Sequence, residues 1–248
     1  MNRDTNSIAN RLIAHRGQQR DFPENSLPGL QAAAEAGACA VEVDVQLSAD
    51  QVAMLYHDEN LQRISGCAGK IFDYSAAQLQ TLGAHEPGRL GSRFDHIHIA
   101  ALALVNNFLL QHPHITAYIE MKPHSVDRFG INNCISALQL ALPDVLEHCV
   151  VISFHQAFID QIKPLVRSGI IVGDKSQLKQ PLAHHDVVFC NTRYLSEGVG
   201  LRSVDAPVAV YEVATRAQAL SWLAKGAAWV ESHDIAGLLS EENTEHPN

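Results

Sequence analysis

Short apolar runs alternate with amphipathic stretches along almost the whole chain. Runs of this kind, bounded by turn residues, read as buried strands. They fall at 11–15, 40–47, 116–121, 150–154, 170–173, 187–190, 208–213 and 227–231. Between most of them lie helical patterns such as SLPGLQAAAEAG, FIDQIKPLVRSG and TRAQALSWLAKG, each closing on Gly, a common helix stop. Strand then helix, repeated about eight times, predicts an α/β protein built as a (β/α)8 TIM barrel. A doubly wound sheet is the competing arrangement, but it tends to have fewer strands and often carries a Gly-rich phosphate loop, which this sequence lacks.

Two segments break the rhythm. QVAMLYHDENL follows the second strand too closely for a helical crossover, so it is expected to fold back as an antiparallel hairpin. A two-residue turn at Ala49 and Asp50 would set Asp44 opposite Leu55 and Glu42 opposite His57. The stretch 66–113 has weak strand signals and reads as a small insertion over one rim, with a helix near 100–110. Residues 1–248 are expected to form a single domain, since barrels of this length fold as one unit.

Charge and cysteine content narrow the class. With 27 acidic against 18 basic residues the formal net charge is −9, and no basic stripe offsets it, which argues against a nucleic-acid partner. No apolar run approaches the roughly 18 residues needed to span a bilayer, and the first ten residues lack an apolar signal-peptide core. No stable membrane insertion is expected. Five scattered cysteines (Cys39, Cys67, Cys134, Cys149, Cys190) without a C-x-x-C point to a reducing, cytoplasmic setting. The oligomeric state is not legible.

The polar residues at the strand ends carry the chemistry. In such a barrel the active site lies at the C-terminal ends of the strands. The apolar LIA runs straight into His15 and Arg16; the second strand carries Glu42 and Asp44; the third ends in Glu120 and Lys122. Residues two apart on a strand share a face, so each pair points together. Carboxylates gathered at one rim need a cation to stay ionised, and oxygen-only ligation suits one hard divalent ion, Mg²⁺ or Ca²⁺. Arg16 and Lys122 beside such an ion would trap a phosphate oxyanion, and His15 and His57 would supply a general base and a general acid. Taken alone, His15 reads more readily as a satisfied core histidine; the set together points to metal-assisted phosphoester cleavage. Asp58 either orients His57 or caps the turn. His96 and His98 form an H-x-H pair with no third ligand in view.

HRG, then PENS at 23–26, then VEVDVQLSADQVAMLYHDENLQRISG, then YIEMKP resembles the glycerophosphodiester phosphodiesterase family. The match is dense over the first half of the chain and looser over the second. The resemblance implies a TIM barrel that cleaves a small-molecule glycerophosphodiester to sn-glycerol 3-phosphate and an alcohol. It implies Glu42, Asp44 and Glu120 as metal ligands and His15 and His57 as the acid/base pair. Arg16 and Lys122 would contact phosphate, and Glu24 and Asn25 would order the loop under the first strand. The chain departs from the family pattern at YEVA (211–214) and at WVESHD (229–234), where Glu212, Ser232 and His233 alter the rim. Whether water attacks directly or a glycerol hydroxyl first forms a cyclic phosphate stays open. Alternatives are a lysophospholipid or other phosphodiester as substrate, and a non-catalytic barrel, which would be expected to have lost part of the ligand set.

Overall fold

Eight parallel strands close on themselves in the computed structural model, which describes residues 8–195 and 201–240. They are β1 (Leu12–Ala14), β2 (Ala40–Leu47), β4 (Thr116–Met121), β5 (Val150–Ser153), β6 (Ser168–Val172), β7 (Val187–Asn191), β8 (Val208–Tyr211) and β9 (Trp229–Ser232). Pairing of β1 with both β2 and β9 closes the barrel, and β3 (Ala53–Leu55) is antiparallel on β2. This is the expected TIM barrel. Residues 1–7, part of the N-terminal stretch read above, lie outside the described residues.

Period-two alternation sorts the strand side chains into two cores. Leu12, Val41, Val43, Val45, Ala117 and Ile119 face outward, into a layer shared with helix residues such as Leu30, Phe108 and Phe158. Ile13, Tyr118, Ile152, Ile171, Phe189 and Ala209 face inward and fill the barrel. The inward set continues toward the C-terminal rim as His15 after Ile13, Glu42 and Asp44 after Ala40, and Glu120 after Tyr118. Every residue of β2 is buried, yet its inward face carries Glu42, Asp44 and Gln46. Strands buried on both faces normally read as continuous apolar runs, so this concentration of polar groups marks the functional end.

Three expectations need correction. The hairpin register is shifted by one: Val45 pairs with Leu55, and Ser48 closes a three-residue turn by bonding Val52. Gln51 takes a left-handed conformation (φ 63°), the usual third position of such a turn. The second correction concerns the insertion. The helix expected near 100–110 is Ala103–Gln111, and its Val105, Phe108 and Leu109 belong to the main core, so it is the crossover into β4 rather than part of a rim insertion. The remainder closes over its own cluster of Tyr56, Leu61, Ile64, Ile71 and Leu79. Third, the helix expected to run to Gly169 ends at Ile162, ahead of Pro164. Gly169 lies in β6 instead, where a Cβ would stand 2.3 Å from the Val187 carbonyl oxygen.

Candidate active site

The loop after β1 turns sharply. Arg16 (φ 55°) and Gly17 (φ 84°) both take left-handed conformations, and a Cβ on Gly17 would meet the Gly29 carbonyl carbon at 2.6 Å. The turn aims the Arg16 backbone N–H at Glu42 Oε2 (3.1 Å) and its guanidinium at Asp44 (2.9 Å) and Glu24 (3.1 Å). Asn25, also left-handed at φ 54°, clamps Asp44 twice: its amide donates to Oδ2 (2.8 Å) and its carbonyl accepts from the Asp44 N–H (2.9 Å). Two residues of PENS thus brace the carboxylate cluster, Asn25 directly on Asp44 and Glu24 through Arg16.

The parallel register of β2 and β4 sets Asp44 beside Glu120. Lys122 Nζ lies 2.7 Å from an oxygen of each. One oxygen each from Glu42, Asp44 and Glu120 falls within 4.8 Å of the others, a spacing that could hold one cation. The cations already present serve the three unequally. Burial pushes Asp44 upward, but Arg16 and Lys122 outweigh it and hold its carboxyl well below the usual range. Burial, then the neighbouring carboxylates Asp44, Glu231 and Glu120, drive Glu42 well above it. Glu42 Oε1 is buried and without a hydrogen-bond donor.

The two histidines flank this cluster. His15 Nε2 is 4.0 Å from Glu42 Oε2, and burial followed by the Arg16 charge hold His15 well below its usual range, so the ring is neutral. His57 reaches the same cavity although it does not pair with Glu42. Strand β3 stops at Leu55, and the Gln46 amide bonds the carbonyls of His57 (3.0 Å) and Asp58 (2.6 Å), which fixes the turn. Asp58 accepts from His57 Nδ1 at 2.6 Å, so it orients the ring. Burial raises Asp58, but His57 and then Arg63 outweigh it and hold it low. Arg63 binds Asp58 through Nε and Nη2 and Glu24 through Nη1 and Nη2, tying the two loops together.

A cavity of about 390 Å³ opens above the cluster, reached by His15, His57, Lys122 and Glu231 and, from the far wall, by Phe154 and Tyr211. Every residue expected in the catalytic and metal set therefore meets at one rim. Sequence reasoning missed Gln46, Arg63 and Glu231. Gln46 shares the inward face of Glu42 and Asp44, and Glu231 that of Trp229, so alternation alone could have found both. Arg63 arrives through loop packing and left no periodic signal. Among the described residues His96 and His98 join no group of potential ligands.

The chain is similar to known proteins in sequence and in fold. The Glycerophosphoryl diester phosphodiesterase family matches residues 15–134, just under half of the chain. Glycerophosphodiester phosphodiesterase 1 of Homo sapiens is 29% identical over 158 residues, covering 64% of this chain and 46% of that protein. The Bos taurus protein of that name is 29% identical over 142 residues, 57% of this chain and 42% of its own length. The chain thus spans a little under half of these mammalian relatives. A glycerophosphodiester phosphodiesterase of Bacillus altitudinis is 27% identical over 168 residues, 66% of this chain and 67% of that one. In fold, an Oleispira antarctica phosphodiesterase in complex with the product sn-glycerol-3-phosphate is similar at a TM-score of 0.81 and 22% identity, covering 94% and 96% of the two chains. A glycerophosphodiester phosphodiesterase of Agrobacterium tumefaciens gives 0.74 at 21%, covering 93% and 99%. HRG, PENS, E-x-D, HD and IEMK all converge on one rim, and over residues 15–134 the chain is similar to the glycerophosphodiester phosphodiesterase family.

Proposed function

We propose that this chain hydrolyses glycerophosphodiesters to sn-glycerol 3-phosphate and an alcohol with the help of one divalent cation. The observation that carries this reading is the buried, unbonded Glu42 Oε1 within a three-carboxylate set flanked by two histidines. An all-oxygen donor set fits Mg²⁺ or Ca²⁺, held by Glu42, Asp44 and Glu120. When bound, the cation would polarise a phosphoryl oxygen and neutralise charge developing on it.

The remaining work falls to protein side chains. Arg16 and Lys122 bind the phosphate oxygens. Neutral His15 takes the proton of the attacking hydroxyl as the new P–O bond forms; water as attacker gives glycerol 3-phosphate at once, whereas attack by the glycerol hydroxyl gives a cyclic phosphate that a water then opens, breaking one ring P–O bond. His57, with Nδ1 on Asp58, gives a proton from Nε2 to the departing alkoxide as the old P–O bond breaks. The product bound to the Oleispira antarctica protein is sn-glycerol-3-phosphate, consistent with a glycerol-phosphate side to the cavity. We assign this activity to one barrel domain over residues 1–248 of a cytoplasmic enzyme, a setting favoured by scattered cysteines without a C-x-x-C. No helix among the described residues is long and apolar enough to cross a membrane.

Release of glycerol 3-phosphate from glycerophosphocholine and glycerophosphoethanolamine, with EDTA and then with Mg²⁺ or Ca²⁺ restored, tests the reading. Metal-restored release is expected; no release with either ion would overturn it.

A further inference from the structure

The cavity holds a fourth carboxylate that the cleavage chemistry leaves idle. Glu231 lies on the inward face of β9, in register with Ile13 of β1. It is 4% exposed, and its Oε1 has no hydrogen-bond partner. Glu42 is 2% exposed with Oε1 in the same condition. One oxygen from each of these side chains and one ring nitrogen of His15 lie within 4.8 Å of one another. Arg16 and Lys122 are bonded to Asp44, Glu24 and Glu120. A buried carboxylate oxygen with nothing to bond is costly, and an apolar residue would fill this position beside Ile13 without that cost.

We propose that His15, Glu42 and Glu231 form a second cation site, selective for a borderline transition ion of the Zn²⁺ type, whose occupation shuts the enzyme off. The two three-ligand sets share Glu42 but differ in donor chemistry. The first is all oxygen and suits a hard ion. The second includes an imidazole nitrogen, and mixed nitrogen–oxygen ligation with three protein donors favours Zn²⁺ or Co²⁺ over Mg²⁺ or Ca²⁺. A nitrogen whose lone pair is given to a metal cannot accept a proton, so filling this site removes His15 from acid/base work. The inhibition rests on the reading of His15 as a catalytic base; the binding does not.

The test uses the whole chain saturated with Mg²⁺, as wild type, Glu231→Gln and Glu231→Leu. Zn²⁺ binding is followed by calorimetry and Co²⁺ binding by its visible absorption, with a cooperative thermal transition checking that each variant is folded. Wild type is expected to take up one Zn²⁺ beyond Mg²⁺. Both variants should bind it at least about tenfold more weakly, as expected on loss of a metal contact. The Zn²⁺ concentration that halves glycerol 3-phosphate release, measured against each variant's own rate, should rise by a similar factor. Unchanged Zn²⁺ affinity in both variants, or uptake that only displaces Mg²⁺ one for one, would overturn the site. Glu231-dependent Zn²⁺ binding in a protein that cleaves no glycerophosphodiester would support the site and count against the proposed activity alone.

Discussion

The two halves of the barrel are built on different principles. Around β1, β2 and β4 the key carboxylates are braced by several partners: Asp44 by Asn25, Arg16 and Lys122, Glu24 by Arg16 and Arg63, Asp58 by His57 and Arg63. From β5 to β8 the inward face is mainly Ile152, Ile171, Phe189 and Tyr211, and short turns such as Gln177–Lys179 and Thr192–Tyr194 stand where full helices could. Buried charge must be held from several sides because an unpaired ion costs several kcal/mol, roughly. An apolar wall needs only shape and volume, which many sequences supply. The family match at 15–134 covers the braced half. Cleavage chemistry is therefore expected to reside there, and the fit of the departing alcohol in the other half.

Substitutions divide the halves by size of effect. Glu42→Ala should lower metal-dependent turnover by about 10³-fold or more and abolish any rise of Tm with Mg²⁺; near-normal metal-dependent rates would remove Glu42 from the ligand set. His57→Ala should cost about 10²- to 10³-fold in kcat with little change in Tm, and a variant that merely unfolds would make His57 structural. Asn25→Ala removes both clamps on Asp44. It should weaken cation affinity by about 10–100-fold and stability by about 1–3 kcal/mol, read by calorimetry and denaturant titration.

Across the barrel, pH should act on stability through His185. Burial, then His184 and Lys163, lower this ring to about 4, and it packs on His184 at 3.9 Å between ring centres. Its folded-state pKa lies below the unfolded value of about 6.5, so below that pH the unfolded chain binds the extra proton. Stability should be full above about pH 6.5 and fall toward pH 4, by at most about 2 kcal/mol at pH 5. His185→Leu should flatten that slope in urea melts; an unchanged slope would assign it to other groups. Smallest, Phe154→Ala on the apolar wall, where the side chain is 42% exposed, should raise KM about fivefold, roughly 1 kcal/mol, with kcat nearly constant. A loss confined to kcat would move chemistry into the apolar half.

The barrel was legible because its strands follow simple alternation. The bounds expected for β2 and β4 are those observed, and Glu42, Asp44, Glu120 and Lys122 follow from them without further information. His15 was legible as the continuation of Ile13. Three-dimensional packing hid the rest. Arg63 joins Asp58 to Glu24 across 39 residues of chain, a contact no local pattern encodes. Arg89 likewise reaches back to the carbonyls of Gln19, Arg20 and Phe22 and holds the loop after β1 in place. The insertion was drawn too wide because the apolar face of Ala103–Gln111 looks the same whether it covers a rim or a barrel. The hairpin register failed at one residue, Gln51, whose left-handed conformation carries no sequence flag as strong as Asn-Gly.

That turn has a consequence for how the protein tolerates change over evolutionary time. The three residues between Ser48 and Val52 act as a spacer whose length decides where the chain leaves the sheet, and so where His57 arrives. Exchange at position 51 for Gly, Asn or another residue that tolerates the left-handed conformation should be readily accepted. Loss or gain of one residue there would transpose the following strand to its opposite face and carry His57 away from the cavity. The segment is thus permissive to spelling and strict about length, and drift in this lineage should leave altered letters between β2 and β3 but no gaps.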